Sequence, residues 1–262
     1  MQQQLLLAVL AAAGALLLAL TERDDSQAGS RLHMVVDQYN GARHSLVATR
    51  TPNLPNLVNS TDLANEFFIS QYKSQFNPTA DQANSDCGPA CLAMAMKRFF
   101  ANSDFVRTSD PGRLVKMARV AMTGSTDEYV NTDNDDVIHG AQLLGLNARR
   151  APDLRAIDAA LDSGAMLIVS GSPSVSGTFA HRLPYHHCKN GHFIAIAGKR
   201  GDRYLLCDPE STDGTFEISR SELAAFISFW PSERTSLHGA VALWPNGGRE
   251  PSNIADLENS VM

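Results

Sequence analysis

The stretch Asp86-Cys87-Gly88-Pro89-Ala90-Cys91 decides which fold this chain is expected to adopt. From there on, apolar residues recur at intervals of three and four, which is the spacing of a helix with one buried face. These residues are Ala90, Cys91, Met94, Ala95 and Phe99. Asp86 precedes them at the position of a helix cap. A helix is therefore predicted to begin at Cys87, with the thiol at the positive end of the helix dipole.

Cys87 is the candidate nucleophile of this sequence. A cysteine on an apolar helix is usually a small core residue, and Cys91, one turn further on, is interpreted in that way. Cys87 differs because Gly88-Pro89 follows it, a pair that suits the close approach of a substrate to the backbone. A helix N-terminus and a nearby imidazolium both stabilise a thiolate, which is the reactive form of cysteine.

His192 and Asp208 are the candidates for the base and for the group that orients it. A nucleophile and its base are usually close in space and distant in sequence. His192 follows a polar turn and opens an apolar strand, and Asp208 stands at the end of the next predicted strand, sixteen residues later. A hairpin would bring the carboxylate beside the imidazole, where it can accept a hydrogen bond from the ring.

An oxyanion formed at this site would need hydrogen-bond donors. The backbone N–H of Cys87 can supply one of them. The second is expected from a side-chain amide just upstream, Gln75 or Gln82. The residues by themselves do not decide between the two amides as the second donor.

The order of the predicted elements indicates an α+β fold. Besides the helix at Cys87, helices are expected at residues 111–122, 133–144, 154–161 and 220–228. Strands are expected at residues 166–170, 192–198, 204–207, 215–218 and 240–244. Asp153 and Ser219 are the expected caps of the last two helices. Helices first and strands later favour two segregated layers, with the helices packed on a sheet.

The composition is that of a globular protein without a nucleic-acid partner. Apolar residues make up 44% of the 262 residues and charged residues 19%, which is enough for one substantial core. The net charge is −6, and no cluster of Lys and Arg offers a face to a phosphate backbone. Four cysteines are too few for a scaffold held together by disulfides.

The chain is divided into four segments. Residues 1–21 are expected to be a signal peptide or membrane anchor, 22–61 a polar linker, 62–245 the folded domain and 246–262 a disordered tail. The apolar run at residues 5–20 is shorter than the ~20 residues of a comfortable membrane span and longer than a typical signal-peptide core. Its apolar residues occupy every face, which disfavours a surface helix. We therefore expect a secreted or membrane-anchored protein. The sequence does not decide whether residues 1–21 are cleaved off or kept as an anchor.

A tract rich in His and Cys offers a different role for His192. His186, His187 and Cys188 precede it, and together with Cys207 they could bind zinc. The tract contains no matched pair of chelating spacings, so no metal and no cofactor is expected. Cys188 and Cys207 flank the predicted hairpin and could form a disulfide in an oxidising compartment.

The candidate residues lie in motifs that resemble the C39-like peptidase family, within the papain-like superfamily. The motifs are Ser-Gln-Phe-Asn-Pro at 74–78, Asp-Cys-Gly-Pro-Ala-Cys-Leu-Ala-Met at 86–94, Gly-His-Phe at 191–193 and Asp-Pro at 208–209, and the resemblance covers about residues 68–244. It implies a papain-like fold, in which a helical layer led by the nucleophile helix packs on a C-terminal antiparallel sheet. The site residues that it implies are Gln75, Cys87, His192 and Asp208. The Ser-Gln-x-x-Pro context favours Gln75 over Gln82.

The resemblance implies a cysteine peptidase that hydrolyses peptide bonds through a Cys-His-Asp triad and an acyl-enzyme intermediate. Its partner would be a peptide or protein substrate. The best-known members are peptidase domains of ABC exporters that cut leader peptides, and this role is not expected here because the sequence contains no transporter. Two alternatives stay open: another papain-like thiol amidase or acyltransferase, and a catalytically silent binding module at the cell surface.

Overall fold

A six-stranded antiparallel sheet runs through the centre of the structure. Its strands are β1 (Leu146–Ala151), β2 (Met166–Gly171), β3 (His192–Arg200), β4 (Arg203–Cys207), β5 (Thr215–Ser219) and β6 (Ala240–Pro245). They are ordered β1-β6-β2-β3-β4-β5, and every neighbouring pair is antiparallel. The structure is a computed structural model that describes residues 61–71, 85–127, 130–182, 191–211 and 214–246.

Seven α-helices lie in the described residues. They are α1 (Thr61–Phe67), α2 (Cys87–Phe99), α3 (Asp104–Thr108), α4 (Pro111–Thr123), α5 (Asn134–Leu143), α6 (Leu154–Asp162) and α7 (Arg220–Ile227). A 3-10 helix spans Phe179–Arg182. Each helix and strand predicted within the described residues is present, with ends that agree to within two residues.

Helices cover both faces of the sheet. On β2, Met166 and Ile168 belong to the core formed with α2, α4 and α5, whereas Leu167 and Val169 belong to the core formed with α6 and α7. The α+β prediction is confirmed, and the second helical layer is an addition to the two layers expected. It explains why β2 is buried along its whole length and begins with four consecutive apolar residues, because a strand buried on both faces has no polar alternation.

Two side chains cap helices as the sequence predicts. Asp153 accepts a hydrogen bond from the N–H of Ala156 at 2.8 Å, at the start of α6. Ser219 begins α7 with a capping box, in which its hydroxyl accepts from the N–H of Glu222 and the Glu222 carboxylate accepts from the N–H of Ser219 at 2.7 Å. Each cap satisfies N–H groups that have no partner inside the helix.

Three of these helices and strands, α1, α3 and β1, were not predicted, and neither was the 3-10 helix at Phe179–Arg182. The edge strand β1 carries Arg149 and Arg150, and only its two end residues are buried. Its extended form depends on pairing with β6, which places Arg150 opposite Val241. Helix α3 is five residues long, too short for a helical period to be visible in the sequence. The distant partner explains why β1 was not predicted. Small length explains the other three elements, since α1 has seven residues and the 3-10 helix has four.

Several predicted segments lie outside the described residues. They are the signal peptide or anchor at 1–21, the linker as far as residue 60, and the tail from residue 247. These assignments stay predictions. In the part of the chain that the structure describes, all of it within residues 49–262, no helix combines the length and apolar character needed to cross a membrane.

Candidate active site

The sheet brings His192 and Asp208 together. His192 is the first residue of β3, and Asp208 directly follows β4, the strand paired with β3. The Nε2 atom of His192 lies 2.8 Å from Oδ1 of Asp208, and neither side chain is exposed to solvent. The hairpin expected from the sequence therefore forms and places the carboxylate against the ring.

The Asp208 carboxylate is held by its own loop as well as by the imidazole. Its Oδ1 also accepts a hydrogen bond from the N–H of Glu210 at 2.9 Å, and its backbone carbonyl accepts from the N–H of Ser211 at 2.9 Å. Among the described residues, Oδ2 has no hydrogen-bond partner. Two hydrogen bonds to one oxygen fix the orientation of the carboxylate and so that of the ring.

The start of α2 lies directly against the start of β3. Cys87 is the first residue of the helix and is partly buried. A Cβ atom on Gly88 would lie 2.6 Å from Oγ1 of Thr132 and 3.4 Å from the ring of Phe193, the residue after His192. The glycine therefore allows the helix to approach its own protein neighbours, whereas the sequence suggested an approach by substrate.

The pKa of the Cys91 thiol is affected by all three predicted residues, Cys87, His192 and Asp208, which shows that they lie close together. Burial raises the pKa of this thiol, and the neighbouring Cys87 thiol raises it further. His192 acts to lower the same pKa, and Asp208 acts to raise it. Cys91 is fully buried and serves as a core residue, as predicted. Its position on α2 lies within electrostatic reach of Cys87, His192 and Asp208 together.

Asp86 occupies the cap position of α2 but does not cap the helix. Its carboxylate pairs with Arg119 of α4, whose Nε lies 2.7 Å from Oδ1 of Asp86 and whose second guanidinium nitrogen lies 2.5 Å from the same oxygen. Both side chains are almost completely buried. The prediction that Asp86 caps the helix was wrong, because a buried arginine is a stronger partner for the carboxylate than a backbone N–H.

Arg119 is a site residue that the sequence reading missed. The sequence does indicate that this arginine is buried, because Arg119 lies four residues after Val115 and three before Met122, on the buried face of α4. A charge on such a face requires a partner of opposite charge. The sequence could not show that this partner is the residue before Cys87.

The amides predicted to bind the oxyanion, Gln75 and Gln82, lie outside the described residues. The nearest described residue on their N-terminal side is Gln71, which is buried. Its backbone N–H donates to the carbonyl of Pro209 at 2.9 Å. The chain that leads to Gln75 is therefore anchored beside the Asp208 loop.

An aromatic side chain supports the turn in front of His192. A Cβ atom on Gly191, where φ is +109°, would lie 2.4 Å from the ring of Trp230. The indole N–H of Trp230 donates to Oγ of Ser170 at 2.9 Å. The turn that carries His192 thus rests on a large ring fixed to β2. No pattern in the sequence marks Trp230 as a residue of the site.

The metal and disulfide alternatives concern Cys207 and the tract before His192. His186, His187 and Cys188 lie outside the described residues. Cys207 is a free, fully buried thiol, and burial raises its pKa. Within the described ranges, the potential metal ligands that cluster are His192, Asp208 and Glu210, with ligand atoms within 4.8 Å of one another. This group contains the His192–Asp208 pair itself.

No protein-family model and no curated protein matches this sequence. Similar solved structures include the peptidase domain of Streptococcus ComA, described as a bifunctional ABC transporter in a quorum-sensing pathway, at 18% identity and a TM-score of 0.43 over 68% of this chain and 97% of that one. A protein of Bacillus anthracis described as a C39-like peptidase is 12% identical, with a TM-score of 0.45 over 72% and 97%. The Pseudomonas avirulence protein AvrPphB is 11% identical, with a TM-score of 0.30 over 62% and 90%.

Proposed function

We propose that this chain is a cysteine peptidase, with Cys87 as nucleophile, His192 as general base and Asp208 as the residue that orients the imidazole. The observation that carries the proposal is the buried pair between His192 Nε2 and Asp208 Oδ1, 2.8 Å apart. It lies beside the N-terminus of the helix that begins at Cys87. An imidazole held by a carboxylate on one nitrogen exchanges protons through the other, so Nδ1 is the nitrogen assigned to Cys87.

The reaction has two halves. Sγ of Cys87 attacks the carbonyl carbon of a peptide bond while its proton passes to His192, and the carbonyl oxygen becomes an oxyanion. The C–N bond then breaks, and the amine leaves with the proton from His192. Water attacks the resulting thioester, with His192 again taking a proton. The acid product leaves, and Cys87 regains its proton from His192.

The oxyanion needs two donors, of which the backbone N–H of Cys87 is the first. This N–H makes no hydrogen bond with any described residue. Gln75 is proposed as the second donor and Gln82 as its alternative. The hydrogen bond between Gln71 and Pro209 supports this, because it anchors the preceding chain beside the Asp208 loop.

The decisive experiment compares wild-type protein with Cys87→Ala on a peptide library and on cell-wall fragments. Bonds cut only by the wild type identify the substrate class. Cys91→Ala is the matched control, since it removes a buried thiol one turn further along α2. Hydrolysis should be lost in Cys87→Ala, kept in Cys91→Ala and unaffected by a chelator. Activity that survives in Cys87→Ala, or that a chelator abolishes, would exclude a thiol mechanism.

Alkylation by iodoacetamide separates an enzyme from a silent binding module. An activated Cys87 should react rapidly at pH 6, because the thiolate is the species that is alkylated. A rate that rises only above about pH 8 is the behaviour of an ordinary cysteine and would support the binding module. Mass spectrometry of the peptide that contains Cys87 gives the rate directly.

We further propose that the protein acts outside the cytoplasm, secreted or held at a membrane by residues 1–21. The support is the apolar run at residues 5–20. Fractionation of cells that express the full chain, compared with a chain lacking residues 1–21, tests this. Equal recovery of both forms in the cytoplasmic fraction would contradict it.

A further inference from the structure

Arg119 connects two stretches of backbone near the start of the nucleophile helix. Besides the Asp86 carboxylate, its guanidinium donates to the carbonyl of Ser85 at 2.6 Å. On the other side it donates to the carbonyls of Asp127 at 3.1 Å and Val130 at 3.0 Å. The side chain is only 1% exposed. A single buried cation therefore holds both the residues before Cys87 and the loop after α4.

The pair with Arg119 leaves the first N–H groups of α2 uncapped. An aspartate at this position normally accepts a hydrogen bond from the second or third helical N–H. Here the Asp86 carboxylate makes no such bond, and Pro89 has no N–H to offer. In the described part of the chain, the N–H groups of Cys87 and Gly88 have no hydrogen-bond partner.

The same pair removes a negative charge from the neighbourhood of Cys87. Asp86 is adjacent in sequence to the nucleophile, and an uncompensated carboxylate there would oppose formation of a thiolate. The guanidinium of Arg119 lies within 2.5 Å of this carboxylate and neutralises it. Buried charges interact more strongly than exposed ones, because little solvent screens them.

We infer that Arg119 is a positioning residue for Cys87, which acts through Asp86: it holds the carboxylate away from the helix N-terminus and cancels its charge. This inference rests on the proposed function of Cys87 as a nucleophile. It assigns to Arg119 a role in reactivity beyond its contribution to packing. The N–H of Gly88, which a capping Asp86 would otherwise occupy, is thereby left open at the start of the helix.

Two variants that break the same pair test the inference, because they change the charge beside Cys87 in opposite directions. Arg119→Met removes the guanidinium from Asp86, and Asp86→Asn removes the carboxylate charge from Arg119. The measured quantity is the rate of Cys87 alkylation by iodoacetamide as a function of pH. We expect the profile to move to higher pH in Arg119→Met and to lower pH in Asp86→Asn, each by about one pH unit, or about tenfold in rate on the rising part of the curve.

The double variant Asp86→Asn/Arg119→Met should bring the profile back towards that of the wild type. Arg119→Lys keeps the charge, so its profile should stay nearer to the wild type than that of Arg119→Met. Circular dichroism and thermal unfolding show which variants are folded. If Arg119→Met does not fold, the direction of the shift in Asp86→Asn decides the question. A shift to higher pH in both single variants would overturn the inference, because loss of packing alone affects both in the same direction.

Failure of this inference is distinguishable from failure of the proposed function. If wild-type Cys87 reacts like an ordinary cysteine and hydrolyses no peptide, the proposed function is wrong. The shifts of the alkylation profile are measured relative to the wild type and need no substrate. Profiles that coincide in all variants, with hydrolysis present in the wild type, would reject the role of Arg119 alone.

Discussion

Nε2 of His192 and Oδ1 of Asp208 lie 2.8 Å apart in a part of the protein that solvent does not reach. His192 begins β3 and Asp208 directly follows the adjacent strand β4, and the backbone N–H of Glu210 donates to the same carboxylate oxygen. A buried carboxylate in this geometry restricts the ring to one orientation and one tautomer. The consequences of the pair and of its surroundings can be measured.

Asp208→Asn should reduce peptide hydrolysis by roughly 10²–10⁴-fold without unfolding the protein. The amide keeps the shape of the side chain but favours the wrong tautomer of His192. The rate of hydrolysis of a substrate found in the library is the measurement. Asp202→Asn is the matched control, because Asp202 is exposed in the turn between β3 and β4. Equal rates for wild type and Asp208→Asn would show that this carboxylate has no orienting role.

Gly88→Ala should destabilise the protein by about 1–3 kcal/mol, because the added Cβ overpacks the contact between α2 and its neighbours. The nearest atom would be Oγ1 of Thr132, at 2.6 Å. Thr132→Ala removes that atom, so the double variant should recover part of the loss. Urea unfolding at pH 7 gives the free energies. Additive effects of the two substitutions would show that the two side chains do not meet.

Cys91 and Cys207 should resist alkylation in the native protein at pH 8, and both should react in urea. Burial raises the pKa of each thiol, so the thiolate forms readily only in the unfolded chain. A raised native pKa means that the unfolded state loses its protons first, so stability should fall as the pH rises above about 8.5. Urea midpoints at pH 7 and pH 9.5 test this. The fall should be smaller in Cys91→Ala, and an equal fall would contradict the assignment.

Glu222→Gln should lower the thermal midpoint at neutral pH, and the difference from the wild type should shrink as the pH falls below about 4.3. Burial raises the pKa of Glu222, but hydrogen bonds from the Ser219 N–H and hydroxyl and the charge of Arg182 outweigh it, and the net pKa is lowered. A lowered pKa stabilises the fold above about pH 4.3, and the contribution is lost as the pH falls through the native value. Glu233→Gln, at an exposed position, is the control. An unchanged difference at pH 3 would exclude the carboxylate as its source.

Local patterns were sufficient for most of the helices and strands. The helix at Cys87, the caps at Asp153 and Ser219, and the strand that opens at His192 all follow from periodicity and capping chemistry between residues close in sequence. The strand β1 does not, because its two arginines become part of a sheet only through pairing with β6. Its conformation depends on residues about ninety positions away, which no local pattern encodes.

The same division applies to the candidate site. The type and order of Cys87, His192 and Asp208 predict a thiol hydrolase, since few other arrangements use a cysteine at a helix start with a histidine and an aspartate on later strands. Asp86 shows the limit of such reasoning. Its cap position is evident from the sequence, but its partner is Arg119, thirty-three residues further on.

The sequence by itself determined the α+β class, the position of Cys87 at a helix N-terminus and the hairpin that carries His192 and Asp208. These features depend on periodicity, on caps and on turns, which act over a few residues. Only the tertiary structure decided that helices cover both faces of the sheet. It also decided that Thr132 and Phe193 leave no room for a Cβ atom at position 88, and that Asp86 pairs with Arg119 instead of capping the helix. These depend on packing and on buried charge, which join residues far apart in the chain.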